Sequence, residues 1–177
     1  MSHIAIPDDA TIQTLWQKYE TPPNVIRHCQ TVARLVEQVC AAYEHANVSD
    51  ATLVVINTPL ARAAALLHDA KRHQPHHAAA AANSLEQDGY PEVANIVRHH
   101  DFRYIVSKSL KTIEEKIVNY ADKRVIHDQI VTVNERIDDL KQRYANNAKR
   151  IESYREPVKT LERELLDEKE SYIRLDR

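Results

Sequence analysis

Residues 58–81 read TPLARAAALLHDAKRHQPHHAAAA, two apolar, alanine-rich stretches split by a polar run, and the whole holds four of the chain's ten histidines. Asn57-Thr58-Pro59 is a helix start, with Asn57 or Thr58 as the cap and proline in the first turn, where no backbone N–H is needed. The apolar run Leu60 to Leu67 follows and ends in His68-Asp69. His76 to Glu86 is then an alanine-rich helix closed by Asp88-Gly89, glycine being the residue that most readily turns left-handed at a helix end. Two helices therefore meet at a cluster of imidazoles, a carboxylate and cations.

The same reading extends in both directions. Upstream, Pro22-Pro23-Asn24 stops one segment and caps the next, and Val25, His28, Val32, Leu35, Val36 and Val39 recur at helical steps, so His28 lies on the core-facing stripe. A short amphipathic piece around Ile12 to Tyr19 precedes it. Downstream, Pro91 opens a helix whose Val93, Ile96 and Val97 lead to His99-His100. From Thr112, the residues Ile113, Ile117, Val118, Tyr120, Ala121, Val125 and Ile126 make a face broad enough for the central helix of a bundle, with Asp122 inside it. Beyond about Asp138 the chain is strongly charged. Leu161, Leu165 and Tyr172 form a thin stripe there and Pro157 interrupts it, which predicts a long exposed helix or helical tail, with a homodimer seam along it as one use.

Composition agrees with helices throughout. Among 177 residues there is one glycine, Gly89, which leaves few tight turns or hairpins. The chain suits one domain with a continuous core, divided as a leader and short helix (1–23), a catalytic domain (24–137) and a charged helical extension (138–177). A net charge of −2 supplies no global field for nucleic acid. No window approaches the roughly 20 apolar residues of a membrane span, and no basic, apolar leader opens the chain. Cys29 and Cys40 lie eleven apart on one helix, roughly 16 Å by the helical rise, too far to bridge. A cytoplasmic protein is expected.

Imidazoles and carboxylates that project inward from different helices are how bundles hold metal, since a buried charge must be paired or coordinated. Mixed nitrogen and oxygen donors suit several ions. The order His28, then His68-Asp69, then distant Asp122 resembles the HD-domain family of metal-dependent phosphohydrolases, across roughly residues 24 to 136. Residues 64–81, AALLHDAKRHQPHHAAAA, are similar to the family segment in which His-Asp is followed by a basic residue and a second histidine opening an alanine-rich helix; that histidine matches His77. KIVNYADKRV (116–125) resembles the family's final helix, Asp122 being followed by Lys123.

The resemblance implies an all-α HD-domain helical bundle with a long charged C-terminal helix. It also implies divalent metal, two ions, with Fe or Mn foremost and Mg, Ni, Co or Zn as alternatives. His28, His68, Asp69 and Asp122 would hold one, and Asp69 would bridge to a second on His77 and on His100 or His99. The resemblance favours His100, because VANIVRHH (93–100) is most similar to relatives ending in one histidine there, and a neighbouring helical position points about 100° away; His99 is then a supporting residue or a phosphate donor. The related diadenosine tetraphosphate hydrolases carry histidines at this place. The Gly-Tyr-Pro of cyclic-dinucleotide enzymes should follow the pair, whereas Gly89-Tyr90-Pro91 precedes it, which disfavours those substrates. Where the family has lysine three residues after the HD aspartate, Arg72 stands, with Lys71 beside it, giving a bidentate fork for phosphate.

The implied activity is hydrolysis of a phosphomonoester, phosphodiester or phosphoanhydride in a small nucleotide-like substrate. Adjacent cations would acidify a water for in-line attack on phosphorus, with Asp69, Arg72 and Lys71 as the catalytic group. A di-iron oxygenase on the same ligands, or a non-catalytic module stapled by metal, are the alternatives. His73 and His76 read as exposed loop or cap residues; His3, His45 and His127 carry no assignment.

Overall fold

Side chains at the starts of four of the longer helices set the phase of the fold by capping them. Asp8 accepts from the Thr11 N–H, Asn57 from Leu60, Thr112 from Glu115 and Thr132 from Glu135; the last two are reciprocal capping boxes. Asn57, not Thr58, is thus the cap of the third helix. The computed structural model describes residues 4–47 and 54–166, with no side-chain account of residues 45–47. Ten α-helices occur among the described residues: α1 Asp9–Lys18, α2 Pro23–Asn47, α3 Thr58–Leu67, α4 His77–Gln87, α5 Pro91–Arg98, α6 Phe102–Val106, α7 Ile113–Asp122, α8 Val133–Arg143, α9 Ala148–Glu152 and α10 Arg155–Leu166. The all-helical expectation is met, and no described helix is long and apolar enough to cross a membrane.

The long helix α2 packs on α3 and α7, while α4 pairs with α5 and α5 lies against α3. One continuous core results, running from Ile12, Leu15 and Trp16 on α1 through Val32, Leu35 and Val36 on α2 to Leu161 and Leu165 on α10. Cys29 and Cys40 are buried free thiols on α2. Gly89 takes φ +90° past the end of α4, the left-handed position its sequence context predicted.

Two expectations are corrected. Val125 and Ile126 do not extend the α7 face. That helix ends at Asp122, and the two residues form β1, paired antiparallel with β2 (Gln129–Ile130) across a tight turn at His127-Asp128. His127 adopts φ +55° there, taking the role usually given to asparagine or glycine.

The second correction concerns the single long C-terminal helix, which is broken. Tyr144 leaves helical geometry, a 3-10 turn covers Ala145–Asn147, and α9 and α10 double back so that α10 packs on α7, α8 and α6. Burial of Ile151, Val158, Leu161, Leu165 and Leu166 drives the return, because a straight charged rod would leave them in water. Pro157 does not interrupt α10, since it lies in the first turn, where its missing N–H has no partner to lose. Tyr172 lies outside the described residues.

Candidate metal centre

Five helical segments deliver their ends to one place. His28 comes from the second turn of α2, His68 and Asp69 from the residues just past α3, His77 from the first residue of α4, His100 from just past α5, and Asp122 from the last residue of α7. His28 Nε2 lies 3.1 Å and His68 Nε2 3.5 Å from the same Asp122 oxygen, Oδ1. On the other side of His68, Asp69 Oδ1 has His77 Nε2 at 3.1 Å and His100 Nε2 at 3.4 Å. His28, His68 and Asp69 make one group of donor atoms, and Asp69, His77 and His100 a second; within each group, the atoms lie within 4.8 Å of one another. Asp69 belongs to both.

The tautomers decide what these contacts mean. His28 Nδ1 lies 2.8 Å from the His127 carbonyl, His68 Nδ1 2.8 Å from the Ala65 carbonyl, and His100 Nδ1 2.6 Å from the Val97 carbonyl. A carbonyl only accepts, so each ring donates an Nδ1–H outward and, when neutral, turns a bare Nε2 lone pair inward. Lone pairs facing carboxylate oxygens repel unless a cation stands between them. His68 Nε2 and Asp69 Oδ1 are buried without a hydrogen bond, and the approaches of His77 and His100 to Asp69 Oδ1 lack hydrogen-bond geometry. The donor set therefore fits divalent metal: neutral imidazoles locked by backbone carbonyls, with the carboxylates of Asp69 and Asp122 beside them.

Electrostatics agree. Burial pushes the Asp69 carboxyl up, yet the field of His68 and the contacts of His100 and His77 outweigh it and hold Asp69 well below the usual carboxylate range. Asp122 is likewise raised by burial and lowered further by Lys123, His28 and His68. Burial opposes charge on His68, but Cys29, Asp69 and Asp122 pull its basicity well above an ordinary imidazole, so the interior attracts a proton where a metal would sit. His100 moves the other way, because burial exceeds the pull of Asp69. Lys123 is buried beside Asp122, donates to the His100 carbonyl at 2.7 Å and rests 4.5 Å over the Phe102 ring. It ties the Asp122 carboxylate to the α5–α6 connection.

The other sequence candidates fall outside the cluster or at its edge. His99 turns away, its Nδ1 2.8 Å from Glu115 Oε1, so of the pair only His100 is brought to Asp69. Arg72 stands at the edge, its Nη1 2.8 Å from His77 Nε2 and its Nε 3.7 Å from Asp69 Oδ2. Lys71 points elsewhere, its ammonium 5.0 Å from the centre of the Tyr19 ring. His73 and His76 are exposed.

A cavity of about 270 Å³ opens onto His28, Asp69 and Arg72, and three further arginines line it: Arg27 from α2, and Arg136 and Arg143 from α8. Sequence reasoning missed these. The available signal was their spacing, since Arg136 and Arg143 are two helical turns apart and share a face. The hairpin carbonyl of His127 that orients His28 left no trace in residue types at all.

A family profile described as HD domain matches residues 25–125. Searches of curated proteins and of solved structures returned no match. The profile covers more than half of the chain and spans His28, His68, Asp69, His77, His100 and Asp122. Most members of that family are phosphohydrolases, which makes the chain an enzyme of metal-dependent hydrolase type at that coarse level. A match of this extent, over a helical bundle whose ends converge on one His/Asp cluster, means that the chain belongs to the HD-domain family.

Proposed function

We propose that the chain hydrolyses a phosphate ester or phosphoanhydride of a small, nucleotide-like molecule with metal-activated water. The observation that carries this reading is the inward lone-pair set: His28, His68 and His100 each donate Nδ1–H to a backbone carbonyl and aim Nε2 at Asp69 or Asp122. One ion would be held by His28, His68, Asp69 and Asp122, and a second by Asp69, His77 and His100. When bound, such ions supply an acidified water and neutralise charge on the phosphoryl oxygens.

The chain's own residues do the rest. Asp69, reaching both donor groups, holds them in one register. Lys123 keeps the Asp122 carboxylate turned to the cluster. Arg72, half exposed at the cavity, presents a guanidinium fork where a phosphoryl oxygen would project, and a fork matches phosphate in a way a point charge does not. The burial of His68 and Asp69 excludes bulk water from the reacting side and strengthens each of these interactions. Arginine surplus at the cavity favours an anionic substrate.

The test is to load the purified chain with Mn or Fe and screen nucleotides, dinucleoside polyphosphates and simple phosphate esters for phosphate release, with oxygen uptake followed in parallel. Metal-dependent release abolished by Asp69→Asn is the expected result. Iron-dependent oxygen uptake with no phosphate release, or no turnover across the panel, would overturn the proposal.

A further inference from the structure

The geometry points to a second anion subsite, formed by Arg27, Arg136 and Arg143 beside the His/Asp cluster, so that the substrate carries at least two phosphate groups. The inference rests on the phosphohydrolase reading above and adds to it the substrate's second charge. Two of the three arginines lie on α8, which begins at Val133, beyond the family-matched segment that ends at residue 125.

Placement comes first. The three guanidinium-bearing side chains line the same cavity as His28 and Asp69, so an anion among them is within one small molecule of the metal ligands. The cavity measures about 270 Å³, room for phosphate groups and little more. A neighbouring cavity of about 560 Å³ shares Arg27 and Asp128 with it and offers space for the remainder of the molecule.

The charges do not balance locally. On α8 a single carboxylate, Asp139, serves both Arg136, at 3.7 Å, and Arg143. Arg27 faces only the half-exposed Asp128, at 3.8 Å. With Arg72 beside Asp69 at the cluster's edge, four guanidinium groups line the cavity and are paired with three carboxylates, Asp69, Asp128 and Asp139. Arg136 is the unusual member: its side chain is largely buried against the core, yet its Nε has no hydrogen-bond partner among the described residues. A buried guanidinium N–H without an acceptor is costly, and an acceptor arriving with the substrate would satisfy it. Arg136 and Arg143, seven residues apart, share one face of α8, about a quarter turn from the buried stripe of Val133 and Ile137.

The experiment needs no catalysis. Inorganic pyrophosphate is titrated calorimetrically into the metal-free chain in the presence of a chelator, with Arg136→Gln, Arg143→Gln and Asp69→Asn in parallel. Saturable binding is expected, weakened about tenfold by each arginine variant, the loss of one charge-assisted contact, and not weakened by Asp69→Asn, which removes a repelling charge. Circular dichroism reports whether Arg136→Gln folds, and the more exposed Arg143→Gln carries the test if it does not. Absence of saturable binding, or binding indifferent to both arginine variants, overturns the inference. In the loaded enzyme the same variants should raise KM for a nucleoside diphosphate and leave KM for p-nitrophenyl phosphate unchanged. A failed hydrolysis screen with intact pyrophosphate binding refutes the proposed reaction and spares the subsite; the converse result does the opposite.

Discussion

Two charge clusters in this molecule use similar groups and differ in what surrounds them. In the centre, Asp69, Asp122, His68 and Lys123 are all less than a tenth exposed, and their partners come from separate helices. At the C-terminal side, Glu152, Arg155, Asp138 and Lys141 link α8 to α9 and α10 through ion pairs that mostly face water. In water the Coulomb energy of a pair at contact is about 1 kcal/mol, and it grows severalfold as water is excluded. The charges of the first cluster therefore act strongly on one another and on any cation that enters it, whereas the second is close to neutral in its effect. The predictions below probe that contrast.

The largest effect belongs to Asp69, which reaches both donor groups. Asp69→Asn removes half of the carboxylate charge from the centre and the donor that belongs to both groups, and on the proposed mechanism the metal's contribution of several kcal/mol to the transition state goes with it. Phosphate release should fall by about 10³-fold or more. Chelator should reproduce that loss in the unmodified chain without unfolding it, because the core from α1 to α10 owes nothing to metal. The melting temperature should drop by roughly 5–10 °C, the linkage expected for an ion at a hundred times its dissociation constant. Unfolding on chelation would mean that the metal is a staple and the centre no catalyst.

Lys123 comes next. Replacing it by methionine keeps the volume but leaves the buried Asp122 carboxylate short of its nearest cation, and breaking a buried pair costs about 3 kcal/mol or more. In the metal-free chain the melting temperature should fall by roughly 6–12 °C. Added Mn should restore part of that, since the ion takes over the missing charge. A loss equal with and without metal would place Asp122 outside the coordination sphere.

These two effects also mark what could be read from residues alone. His28, His68-Asp69, His77 and Asp122 were legible through the resemblance to the HD-domain pattern, whereas helical phase by itself placed only His28 and Asp122 on core-facing stripes. His99 and His100 were separated by the register of the resemblance, since adjacent positions point apart, and the structure turns the first to Glu115 and the second to Asp69. Arg136 and Arg143 were not recognised. A charged helix with a thin apolar stripe looks the same whether its cations face water or a cavity. The break at Tyr144 was equally hidden, because it arises from the burial of Ile151 and Val158 at a distance and from no local stop signal. Backbone carbonyls that lock the imidazoles have no residue identity to read.

Glu115 lies between the two extremes. It is buried, closes the capping box of α7 and accepts from His99 and Asn95. Burial pushes its carboxyl up, but the backbone N–H groups of Lys111 and Thr112 together with His99 bring it below the ordinary glutamate value. With a folded pKa below the unfolded one of about 4.3, its stabilisation is present above that pH and is lost as pH falls through the lower, folded value. Glu115→Gln should cost about 1–3 kcal/mol at pH 7 in urea denaturation and flatten the acid limb of the stability profile. An unchanged acid slope would show that the other lowered carboxylates, Asp69, Asp88 and Asp122 among them, produce it.

The smallest effect tests the exposed cluster. Glu152 accepts from Arg155 Nε at 2.7 Å and Lys141 Nζ at 2.7 Å, and these contacts lower its carboxyl pKa to about 2. The direction of linkage is the same as for Glu115: any stabilisation exists above about pH 4.3 and disappears as pH falls toward 2. Its size is another matter, because the carboxylate is fully in solvent, where screening and side-chain entropy offset the attraction. Glu152→Gln should therefore melt at the temperature of the unmodified chain at pH 7, in low salt and in high. A clear loss that salt diminishes would show that the ion pairs of α8, α9 and α10 hold the C-terminal segment in place, and with it Arg136 and Arg143 at the cavity.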